Sequence, residues 1–177
     1  MTHAARAPLL VLGVGNPSRG DDALGALFVD RVGETLRPEI DTGQLELLTD
    51  FQLQVEHALD LTGRQRVVFV DASVRAQAPY EYARVQAERD ASFSSHAMSP
   101  AAVLDTHRTV VGEPPPAWTL AIRGDRFELG EELTPAAAAN LEAALRFFVE
   151  EARAFLRAGP DRRRQRTVDE HARRDDG

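Results

Sequence analysis

Two adjacent carboxylates, Asp21 and Asp22, close a glycine-punctuated turn in the segment LLVLGVGNPSRGDDALG at residues 9–25. Glycines after a strand usually let the backbone approach a phosphate at a helix N-terminus. Here the helix entrance carries negative charge, which repels a phosphate and attracts a cation. Two further residues complete a candidate set: Asp71, closing the run RVVFVD, and His96, in SSHAMSP. Asp22, Asp71 and His96 would offer two oxygens and one imidazole nitrogen. That mixture suits a borderline divalent ion such as nickel or zinc better than magnesium. Three protein ligands leave coordination positions open for water or a substrate group.

Each residue also has a plainer reading. Asp21 or Asp22 can cap the first helix and meet its dipole, one capping while the other points into a cleft. Asp71 can be a strand-end turn residue, and His96 a surface histidine. Asp22 with Asp71 can form an aspartic dyad. Asp50 reads as a turn residue, His57 as a residue on a helix face and His107 as solvent-facing, while His3 and His171 sit near the ends. Other chemistries lack their motifs. Ser18 stands where the dinucleotide fingerprint needs its third glycine, and there is no Walker-type GK[ST], no GxSxG and no HExxH.

The elements that must position these residues alternate. Residues 8–14 read as a buried strand, and 21–36 as a helix with Leu24, Leu27, Phe28 and Val32 on one face. A strand at 44–49, a helix at 53–62 with Val55, Ala58, Leu59 and Leu61 turned inward, and a strand at 66–71 follow. This order favours a parallel sheet with helices on both faces. Residues 80–87 alternate like an edge strand. Ser99-Pro100 and Thr134-Pro135 each read as an N-cap followed by proline, opening helices to about 110 and 157 around a strand at 117–122. The predicted architecture is α/β: a three-layer α/β/α sandwich around a mostly parallel, mixed sheet of about five strands. In such sheets ligands bind outside the carboxyl ends of the strands, where Asp22, Asp50 and Asp71 fall.

The chain has 177 residues and a net charge of −7, with Arg as its only basic residue apart from histidine. Residues 1–158 are expected to form one domain, and the charged stretch 159–177 a disordered tail. The acidic balance argues against a nucleic-acid partner. No apolar run approaches the ~20 residues that cross a bilayer, and no signal peptide is visible, so no membrane partner and a cytoplasmic location are expected. The absence of cysteine removes disulfides and thiol catalysis.

GVGNPSRGDDALG, VVFVDAS and SSHAMSP, in this order, resemble the maturation endopeptidases of NiFe hydrogenases, over about residues 8–155. TLAIRGDRFELGEELTP resembles the family's last strand and the loop into its final helix. The resemblance implies an enzyme that trims the C-terminal extension of the hydrogenase large-subunit precursor. It implies that Asp22, Asp71 and His96 bridge nickel that arrives with the precursor, so that cleavage reports completed metal loading. This sequence departs from the family's pattern at two places. Asp22 stands where better-known members often carry Glu, and near Asp50, where some members have a glycine-rich turn, this chain reads TDFQLQVEHAL and resembles a different branch. The free protein is expected to be a monomer. The rival readings are a non-catalytic metal-binding checkpoint or chaperone, a nucleotide-binding Rossmann-like domain, and a peptidase of this fold acting elsewhere, such as on a spore protein.

Overall fold

The computed structural model describes residues 5–89 and 97–159; the predicted tail beyond Gly159 lies outside them. Strands β1 (Leu9–Val14), β2 (Leu45–Asp50), β3 (Arg66–Ser73), β4 (Tyr80–Val85) and β5 (Ala117–Arg123) form one sheet. Its order is β2-β1-β3-β5-β4, with every pairing parallel except β4 on β5. The helices are α1 (Leu24–Thr35), α2 (Arg37–Asp41), α3 (His57–Asp60), α4 (Pro100–Val110) and α5 (Pro135–Arg157).

The predicted α/β/α layering follows from the strand patterns. β1 is buried along its whole length, because both of its faces are covered by helices. Leu9, Val11, Val68 and Val70 pack on one side with Phe28 and Val32 of α1 and Leu141, Leu145 and Phe148 of α5. Leu10, Leu12, Val67 and Phe69 pack on the other with Ala58, Val103 and Leu104 of α3 and α4. Phe28 and Phe148 meet edge to face at 5.3 Å between centroids. β4 alternates between intermediate and exposed positions, as an antiparallel edge strand should.

Both proline-marked helix starts form as read. Ser99 Oγ accepts from Ala102 N–H at 3.1 Å, and Thr134 Oγ1 from Ala137 N–H at 3.2 Å. The helix expected at 53–62 shrinks to His57–Asp60. Its apolar spacing was only partly a core signal: Ala58 and Leu61 are buried, but Val55 is 55% and Leu59 54% exposed. The edge strand stops at Val85 rather than residue 87, since β5, its partner, begins at Ala117 opposite Val85. α2 was not anticipated. No helix among the described residues is long and apolar enough to cross a membrane.

Candidate functional site

The sheet's order reverses between β1 and β3, since β2 lies beyond β1 on one side and β5 beyond β3 on the other. At such a switch point the two chains diverge at their carboxyl ends and leave a crevice. Here the divergence begins after the pair Gly13–Val70. β1 turns away at Gly15, whose φ of +136° suits glycine alone; a Cβ there would lie 2.0 Å from the Asp22 carbonyl oxygen. β3 instead continues beside β5 through the pairs Asp71–Ala121, Ala72–Ile122 and Ser73–Arg123. Asp71 therefore does not end its strand, as the sequence suggested. It sits within β3, just past the point where β1 stops covering it.

The crevice is a cleft of about 740 Å³. Asp22 and Asp71 both line it, with Arg19, Phe51, Leu53, Phe69, Met98 and Ser99 among their neighbours. A larger hollow of about 970 Å³ lies beside β2 and the α1–α2 junction, but none of the candidate residues lines it. Chemistry therefore favours the cleft. His96, the third predicted ligand, lies outside the described residues; Ala97, next to it in sequence, lines the cleft. Among the described residues no group of three or more His, Cys, Asp and Glu could hold a metal ion. Of the three predicted ligands, Asp22 and Asp71 are the two that line the cleft among the described residues.

Neither acidic residue of the pair caps the helix through its side chain. Asp22 Oδ2 accepts the Asn16 N–H at 2.9 Å, so an internal carboxylate takes the loop amide that a bound phosphate would otherwise seek. Asp21 is fully buried and points away from the cleft. Its carboxylate accepts from the N–H groups of Asp125 at 2.8 Å, Arg126 at 3.1 Å and Thr134 at 2.8 Å, and from the Thr134 hydroxyl at 3.0 Å. Burial alone would raise its pKa, but these donors outweigh burial and hold it below the usual carboxylate value. Sequence reasoning missed this role. Its one signal was the doubling of the acidic residue, because a single ligand or cap needs only one.

Asp71 behaves oppositely. Its carboxyl is pushed up to about 7, first by desolvation and also by the charge of Asp22, against a lowering hydrogen bond from the Ala72 N–H. The side chain is open at the cleft mouth yet crowded by protein on its remaining sides. The negative charge of Asp22 thus adds to the cost of ionising Asp71 across the cleft.

The neighbouring histidines are structural. His57 lies on α3, as read, and is buried. Its Nδ1 accepts the Gln54 N–H at 2.8 Å, which leaves Nε2 as the protonated nitrogen, 3.4 Å from Asp50 Oδ2. Asp50 Oδ1 also accepts the Phe51 N–H at 2.7 Å, so this pair shapes the turn that brings Phe51 and Leu53 to the cleft. His107, expected to face solvent, is 3% exposed. Its Nδ1–H donates to the Ala58 carbonyl at 2.8 Å and ties α4 to α3.

No family profile and no curated protein matches the chain. Solved structures do. The hydrogenase maturating endopeptidase HybD from E. coli is 24% identical, with 82% of this chain and 92% of that one covered at a TM-score of 0.62. The NiFe hydrogenase maturation protease HycI from Thermococcus kodakarensis is 20% identical, covering 86% and 95% at 0.61. An endopeptidase from Escherichia coli solved in solution is 25% identical, covering 82% and 92% at 0.61. This chain has the fold of the NiFe hydrogenase maturation endopeptidases.

Proposed function

We propose that this protein is a processing endopeptidase that removes the C-terminal extension of a NiFe hydrogenase large-subunit precursor, and that it recognises nickel already bound there. The observation that supports this most is the pairing of Asp22 and Asp71 across the switch-point cleft, with Asp71 raised to about 7. The names of its structural neighbours supply the reaction class.

In this reading nickel belongs to the substrate. Asp22, Asp71 and, by resemblance, His96 complete its coordination when the precursor docks. A site of so few ligands binds a free ion weakly, but gains from the ligands and contacts the precursor brings. Asp22 is held by the Asn16 N–H, so its direction is set before the substrate arrives. Asp71, balanced between its two protonation states near neutral pH, can ligate when ionised or relay a proton at the scissile bond. Arg19 is the one cationic side chain among the described cleft residues, and Phe51, 69% exposed, offers an apolar contact for the peptide.

The test is incubation of purified protein with nickel-loaded and nickel-free precursor, read by intact mass. Loss of the C-terminal peptide from the loaded form alone is expected. Asp22→Asn, Asp71→Asn and His96→Ala should each abolish that loss while leaving the circular dichroism spectrum unchanged, and Asp22→Glu should be tolerated. Nickel-dependent binding with no change of mass would instead favour the non-catalytic checkpoint.

A further inference from the structure

The turn that carries Asp22 is fastened to the loop between β5 and α5 from Ser18 through Asp21. The Asp21 N–H donates to the Arg126 carbonyl at 2.7 Å, Gly20 N–H to Glu131 at 3.1 Å and Gly130 N–H to Ser18 at 2.8 Å. Arg19 Nε donates to the Phe127 carbonyl at 3.1 Å. At the centre stands the buried Asp21 carboxylate, whose oxygens take the Asp125, Arg126 and Thr134 donors. The Thr134 hydroxyl that donates to Asp21 also caps α5 by accepting from Ala137. Gly124 lets the loop close over Asp21: a Cβ there would lie 2.8 Å from the Asp21 Cβ.

A buried charge is a poor device for stability alone, because desolvation offsets much of what its hydrogen bonds return. What it supplies is direction. Asp21 is one peptide unit from Asp22, whose own N–H donates to the Arg19 carbonyl at 3.0 Å. We propose that Asp21 is a positioning residue: by locking the Gly124–Thr134 loop onto the Gly20–Ala23 turn it fixes where the Asp22 carboxylate stands in the cleft. This rests on the reading of Asp22 as the residue that meets the substrate's cation.

The experiment uses Asp21→Asn in the full chain. Asparagine keeps the size of the side chain. With its oxygen turned to Asp125 and Arg126, however, its amide nitrogen meets the Thr134 N–H donor to donor. The Asn16 N–H, bonded to Asp22, reports the position of that carboxylate. Its hydrogen exchange should rise at least about tenfold, while the Leu12 and Val68 amides in the sheet keep their wild-type protection. With nickel-loaded precursor, kcat should fall about 10- to 100-fold at little-changed KM, the penalty of a misplacement of about 1 Å. Gly124→Ala keeps the carboxylate and displaces it, so it asks the same question if Asp21→Asn does not fold. Wild-type Asn16 protection and kcat in the folded variants would overturn the proposal. So would protection lost equally at Leu12 and Val68 with kcat per folded molecule unchanged. If the wild type cleaves no precursor but Asn16 responds as described, the peptidase reading fails and the positioning of Asp22 stands.

Discussion

Lowering the pH from 8 to 6 should empty the cleft of its second negative charge while the fold stays intact. Asp71 titrates at about 7, far above the 3.8 of an ordinary aspartate, because burial and the Asp22 charge both disfavour its ionised form. With that midpoint its carboxyl is about 90% ionised at pH 8 and about 10% at pH 6. A divalent cation competes with the proton for this group, so its affinity should fall about tenfold across the same interval. An ordinary aspartate would be ionised at both values and give no change. The direct assay is a carbon-13 NMR titration of the Asp71 carboxyl. The calorimetric assay is nickel binding at the two pH values in the His96→Ala background, where no imidazole titrates at the site. Asp22→Asn should move the Asp71 midpoint down, yet leave it above 3.8, since desolvation is the larger cause. The stability of the metal-free protein follows with a fixed sign. The folded state holds the Asp71 proton more tightly than the unfolded chain, so this contribution is full below about pH 4 and is lost as pH rises through about 7. Asp71→Asn should remove that dependence. An Asp71 midpoint near 4, or one unmoved by Asp22→Asn, would refute the reasoning.

Other expectations concern the scaffold. Phe28 is fully buried against Phe148, so Phe28→Ala should cost about 3–5 kcal/mol in urea unfolding, with the cleft chemistry of the remaining folded fraction unchanged. His107→Leu strips the donor from the Ala58 carbonyl in a buried contact, and should cost about 1–3 kcal/mol by the same assay, with no effect on nickel affinity.

The parts of this molecule written in local pattern were legible in the sequence. β1 and β3 announced themselves as continuous apolar runs, and Ser99-Pro100 and Thr134-Pro135 marked the starts of α4 and α5 to the residue. Asp22 and Asp71 could be placed together because the βαβαβ order puts both at one edge of the sheet. What escaped depends on partners distant along the chain. Asp21 meets Thr134, and no local pattern in either segment encodes that contact. β3 runs past Asp71 only because β5 offers it further partners. His107 looked solvent-facing because the Ala58 carbonyl that satisfies it is not displayed by the sequence around it. Val55 and Leu59 sat at helical spacing, but too few residues there pack on the sheet to sustain a full helix.

The central claim is that one cation is shared across the switch point. Crystals soaked in nickel and measured on both sides of the nickel absorption edge test it most directly. A single anomalous peak is expected in the cleft, within bonding distance of carboxylate oxygens from both Asp22 and Asp71 and of the His96 imidazole. A cleft without such a peak, or nickel bound to one of these carboxylates and not the other, would contradict it.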